Sequence, residues 1–221
     1  MRNQKMKFPA FRVWQRAHIR DPHIEDLNDL VDDIRDTYGE FVPYVSPEFG
    51  GRRARVLFLL ASPGIMTNDE DDNAGSGFLS VENMDVAARR LAEAMEEAGL
   101  GADDCVGWNV CPWYVKGLST MKVAERRPYL LRGSQFLTAL IVRLPELRVV
   151  FTFGEDASEA WDLFAATFKG TAASLEKFHH RSTGPSGYRG SIEQHEVWSR
   201  ELAEKMREVK AAAAGPDRIE W

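Results

Sequence analysis

The stretch from Arg55 to Leu79, RVLFLLASPGIMTNDEDDNAGSGFL, decides the fold. Val56-Leu57-Phe58-Leu59-Leu60 shows no alternation of apolar and polar residues, the pattern of a strand covered on both faces and hence of a parallel sheet. The run breaks at Ser62-Pro63-Gly64. Pro63 removes a backbone donor and pushes Ser62 away from helical angles, while Gly64 lets the chain turn or approach a ligand closely. In open α/β sheets ligands sit in the crevice beyond the carboxyl ends of the strands, so this loop is where a site is expected; the alternative is an ordinary strand-to-helix turn.

Downstream, Met84, Ala87, Ala88, Leu91, Met95 and Ala98 recur at helical spacing, with Gly99 placed as a cap, and predict the first crossover helix. Cys105 to Val110 is the second strand, with Asn109 near its carboxyl end and Pro112 stopping it. A long connection leads to a helix from about Pro128 to Arg143, with proline in its first turn. Leu147 to Phe153 is the third strand, followed by Gly154. The spacing of Ala157, Ala160, Trp161, Phe164 and Phe168 predicts the next helix, ended by Gly170. The last strand, Ser174 to Phe178, opens into HHRSTGPSGYRGS, and Ile192, His195, Trp198, Leu202, Met206 and Val209 line a closing helix.

Upstream, residues 1 to 20 carry basic but no acidic side chains, and Ile24, Leu27, Leu30, Val31 and Ile34 then mark an amphipathic helix ending near Gly39. Tyr44 and Phe49 are expected to pack on the edge of the core, with lining a pocket as the alternative. Regular alternation of strands and helices predicts an α/β fold, a three-layer α/β/α sandwich around a central, mostly parallel sheet of about four strands. It is read as a single domain over 1–221, with residues 1–50 as a helical and extended lead-in and 211–221 as a flexible tail. Polar loops leave three strand ends, at ASPG, NVCPW and HHRSTG, and Asn109 and His180 are expected at the ends of neighbouring strands.

Composition narrows the classes. With 44% hydrophobic and 28% charged residues the chain is built like a soluble globular protein. It has no apolar run of transmembrane length and no hydrophobic secretory segment, which predicts a cytoplasmic protein with no membrane partner. Its two cysteines, Cys105 and Cys111, are too few to hold an iron–sulfur cluster or a structural zinc alone and are expected as free, buried thiols. The formal net charge of −6 argues against a wholly basic nucleic-acid binder but leaves room for a local basic face.

Ala61-Ser62-Pro63-Gly64 with Gly75, Gly77 and Phe78 after it, Asn109 at a strand end before Pro112, and His179-His180-Arg181-Ser182-Thr183 late in the chain resemble, in order and spacing, the uracil-DNA glycosylase superfamily. The resemblance spans residues 55 to 190. It implies a monofunctional DNA glycosylase that hydrolyses the N-glycosidic bond of a flipped-out uracil or modified pyrimidine, in base-excision repair or in defence against modified foreign DNA. It implies no metal and no organic cofactor, DNA as the partner, the pyrimidine in a pocket, and a monomer.

By the same resemblance Ala61, Ser62, Pro63, Gly64 and Ile65 form the first motif, Phe78 stacks on the extruded base and Asn109 reads its edge. An amide suits that task because it offers both a donor and an acceptor. The first motif departs from the family: Leu60 stands in place of its opening glycine, and Ala61 and Ser62 occupy positions that often carry a carboxylate or amide. Water positioning therefore falls to Ser62, Asn68 or Asp69. One of His179 and His180 is expected to stabilise negative charge developing on the leaving base. Lys177, Arg181, Ser182, Thr183 and Arg189, in a segment without acids from Lys177 to Ile192, are expected on the DNA backbone.

From other classes, ASPG could be the phosphate loop of a nucleotide- or DNA-binding module that lacks hydrolase activity. The absence of GxGxxG and GxxxxGK[ST] lowers that reading. No G-x-S-x-G surrounds Ser62, which disfavours a serine hydrolase.

Overall fold

The structure is a computed structural model that describes residues 4–68, 75–180 and 192–215. In chain order its elements are α1 (Pro9–Ala17), α2 (Glu25–Tyr38), β1 (Tyr44–Val45), β2 (Val56–Leu60), β3 (Phe78–Leu79), α3 (Val86–Ala98) and β4 (Cys105–Asn109). There follow α4 (Val123–Ser134), α5 (Leu137–Val142), β5 (Val149–Phe153), α6 (Glu155–Thr167), α7 (Lys169–Ala172), β6 (Glu176–His180) and α8 (Ile192–Ala213). β4, β2, β5 and β6 form one sheet in that order with every pairing parallel, and β1 and β3 form a small parallel pair beside it. The fold is the expected α/β sheet flanked by helices. Among the described residues no helix is long and apolar enough to cross a membrane.

The apolar runs make the central strands: β2 and β5 are almost wholly buried, as strands covered on both faces must be. α3 and α8 pack on one face, where Trp198 of α8 meets His180, and α6 packs on the other, where Ser158 and Asp162 hold Lys177. Phe58, Phe151 and Phe153 pack edge-on and tilted against each other on the α3 and α8 face, with ring centroids 4.5 to 6.3 Å apart. α3 begins at Asp85, whose carboxylate accepts the Ala88 N–H at 2.8 Å, and ends at Gly99, which is left-handed at φ 65°.

Several boundaries differ from the sequence reading. The helix expected from Pro128 begins at Val123, because the Lys122 N–H donates to Glu125 Oε2 and caps it earlier. Pro128 lies inside this helix, which breaks before α5. α6 stops at Thr167 and Gly170 sits within the short α7. α1, opened by Pro9 at its first turn, is an element the periodicity did not single out. The last strand runs to His180, so both histidines belong to β6; each extends the ladder, His179 beside Thr152 and His180 beside Phe153.

Asn109 and His180 do not end neighbouring strands. Asn109 pairs in register with Leu60, Leu59 with Thr152, and Phe153 with His180, so Asn109, Leu60, Phe153 and His180 make one row across the carboxyl end of the sheet. The two predicted side chains stand on its opposite edge strands, on the same face, three strand spacings or about 14 Å apart.

Candidate functional site

A cavity of about 690 Å³ opens at this carboxyl end, within the range of about 300 to 1,000 Å³ typical of small-molecule sites. Its walls come from the three strand ends nearest it: Leu60 to Thr67 after β2, Gly107 to Asn109 of β4, and Phe153 to Asp156 after β5. The opening of α3 and the connection holding Tyr114 and Leu118 close the other sides.

Ala61, Ser62, Pro63, Gly64 and Ile65 all line the cavity, as the sequence reading expects of the first motif. The loop is held to the β4 exit by backbone bonds, the Val110 N–H to Leu60 O at 2.8 Å and the Cys111 N–H to Ala61 O at 2.9 Å. The Ser62 hydroxyl has no hydrogen-bond partner among the described residues. Asn109 lines the same cavity at 2% exposure, and its amide likewise has no partner there. The amide opens on the cavity, where a ligand offering both a donor and an acceptor would pair with it.

Other expected residues fall elsewhere. Phe78 is 1% exposed, its ring tilted against Tyr44, and the cavity is lined instead by Leu79, Ser80 and Val81 beyond it. The aromatic residues in the wall are Phe49, Phe58, Trp108, Tyr114 and Phe153, and Phe49 lies 3.5 Å from where a side chain on Gly107 would begin. Gly107 is on the same strand face as Asn109, so that ring occupies the space a larger residue would claim. Asn68 is buried beneath the first loop and does not line the cavity. Asp69, Arg181, Ser182, Thr183 and Arg189 lie outside the described residues. Lys177 donates to Asp162 at 2.6 Å and to Ser158 at 2.8 Å, so α6 already holds its ammonium.

The two histidines part company. His180 points to the α8 face, is 8% exposed and meets Trp198 edge-on at 5.2 Å. Burial lowers its pKa, so the folded protein keeps the ring neutral where the unfolded chain would protonate it. Between that lowered value and about 6.5 the unfolded chain binds more protons, and stability is lost as pH falls through this window. His180→Phe should therefore shrink the drop in melting temperature between about pH 7.5 and pH 5.5; an unchanged drop would place the acid sensitivity on other groups. His179 points to the α6 face, 3.0 Å from Thr152 Oγ1 through Nδ1 and 3.5 Å from Glu155 Oε1 through Nε2.

Sequence reasoning missed the carboxylates of the wall: Asp85, Glu155 and Asp156. Glu155 and Asp156 were findable, since Gly154 follows a third apolar run and the crevice rule that singles out Ser62 applies equally there. Burial raises the Asp85 pKa despite its bonds to the first turn of α3. Arg126 Nε donates to Asp156 at 2.9 Å and ties α4 to α6 at the rim. The cysteines are free and buried; burial holds the Cys105 thiol well above its usual range and pushes Cys111 up to about 12, so neither is a ready thiolate. Among the described residues no cluster of His, Cys, Asp and Glu could hold a metal ion. Compared with models of known protein families and with curated proteins, the chain matches none.

Proposed function

We propose that the chain is a divergent member of the uracil-DNA glycosylase superfamily and excises a uracil or a modified pyrimidine from DNA by hydrolysing its N-glycosidic bond. The observation that carries this reading is the Asn109 amide, unpartnered among the described residues, in a cavity that the neighbouring Ser62 loop also lines. That amide complements the alternating acceptor and donor edge of a pyrimidine, and the cavity is roomy enough for a base taken out of its stack. The protein would act as a cytoplasmic monomer, in base-excision repair or against modified foreign DNA, without metal or organic cofactor.

The test is incubation with single- and double-stranded oligonucleotides carrying uracil or modified cytosines, followed by alkali to cleave abasic sites. Strand breaks at the marked base are expected. Breaks that persist in the double variant Asn109→Ala with His180→Ala would overturn the site. The placement of His180 against Trp198, outside the cavity wall, favours a second reading, a DNA- or nucleotide-binding module without hydrolysis. Tight binding with no breaks on any substrate would select it.

A further inference from the structure

The first motif offers no carboxylate to activate water, and the cavity supplies three elsewhere among its described residues, Asp85, Glu155 and Asp156. Two are committed. Asp85 accepts the Ala88 N–H as the cap of α3, and Asp156 accepts the Arg126 guanidinium. Among the described residues Glu155 has only His179 beside it, Oε1 lying 3.5 Å from Nε2. The imidazole is oriented from behind. Thr152 Oγ1 lies 3.2 Å from Phe178 O and 3.0 Å from His179 Nδ1, and with its proton on Phe178 O the same oxygen accepts from Nδ1–H. In the neutral ring that tautomer leaves the Nε2 lone pair turned toward Glu155. Nε2 is thereby left to accept a proton that the Glu155 carboxylate has taken up. Glu155 lines the cavity in which the Asn109 amide waits unpaired.

We propose that Glu155 is the base that takes a proton from the hydrolytic water and that His179, 3.5 Å behind it, receives that proton in turn. The inference rests on the glycosylase reading. In the step, the electron pair of the C1′–N bond leaves with the base and the water oxygen bonds to C1′. One water proton passes to the Glu155 carboxylate and on to His179 Nε2. The departing base takes up a proton from solvent and His179 returns its own, so one water is consumed and a C1′ hydroxyl and a free base are formed.

Single-turnover excision and oligonucleotide affinity, measured side by side on Glu155→Gln, Glu155→Asp and the unmodified chain, test the assignment. Glu155→Gln should slow excision by about a hundredfold or more while the Kd for the same oligonucleotide stays within about twofold. Glu155→Asp should recover part of the loss. Formate should restore excision to Glu155→Ala, and imidazole to His179→Gly, in a concentration-dependent way that a purely structural role would not produce. Excision by Glu155→Gln at the unmodified rate overturns the base assignment alone. No excision by the unmodified chain on any strand overturns the glycosylase reading and the assignment with it.

Discussion

Asn109→Ala is expected to lower the rate of base excision by about a hundredfold or more, about 2.7 kcal/mol of lost transition-state stabilisation, while leaving the melting temperature near its starting value. The two halves of this result come from one fact. Asn109 is 2% exposed, yet its side chain bonds to nothing among the described residues, so truncating it orphans no donor or acceptor there. A ligand that hydrogen-bonds the amide loses both bonds at once, and a site built to bond polar groups discriminates steeply when one side of the pairing is missing. Thermal melts and single-turnover excision on the same preparation check it. A variant that excises normally would show that the amide does not read the base. One that unfolds would show that it serves the core.

Gly133→Ala should cost about 2–3 kcal/mol of stability and, unusually for a helix glycine, should damage the site as well. A Cβ at this position of α4 would fall 2.1 Å from Val110 O and 2.7 Å from Cys111 Cα. Both atoms are backbone, so no rotamer change relieves the contact. Either the helix retreats or the β4 exit moves, and that exit carries Asn109 one residue before Val110 and is bonded to the Ser62 loop. Urea melts should show the lower midpoint, and excision should fall with it at temperatures where the protein is still folded. Gly170→Ala is the matched control, since a Cβ there meets nothing within 4 Å and alanine is the better helix residue. Equal midpoints for the two variants would refute the close-packing account.

What could be read from the residues was whatever depends on neighbours in sequence. The apolar runs at Val56, Cys105 and Val149 are strands because each is long enough to be covered on both faces, and Gly99 ends α3 where the spacing says it must. The first motif and Asn109 reach one cavity because parallel strands deliver their carboxyl ends to one side. Strand order is a different kind of fact. Nothing local distinguishes β4-β2-β5-β6 from an order in which Asn109 and His180 would be neighbours, and that order sets them on opposite edges. Which way a side chain leaves a strand depends on where the strand begins. Extending β6 through His180 turned one histidine toward Trp198 and the other toward Glu155. Phe78 and Phe49 are equally aromatic in the sequence, and only packing against Tyr44 and over Gly107 separates a core ring from one in the cavity wall.

The clasp at the base of the first loop is closed by backbone atoms. The Ser76 N–H bonds Met66 O, the Gly77 N–H bonds Thr67 O, and Gly75 lies so close to Asn68 that a Cβ would sit 1.8 Å from its carbonyl oxygen. The chain thus leaves and rejoins the framework at a buckle whose geometry is set by residues outside the acidic run from Asp69 to Asp72. Met66 and Thr67 on one side and Ser76 and Gly77 on the other therefore stay joined by backbone alone, whichever side chains the intervening sequence carries.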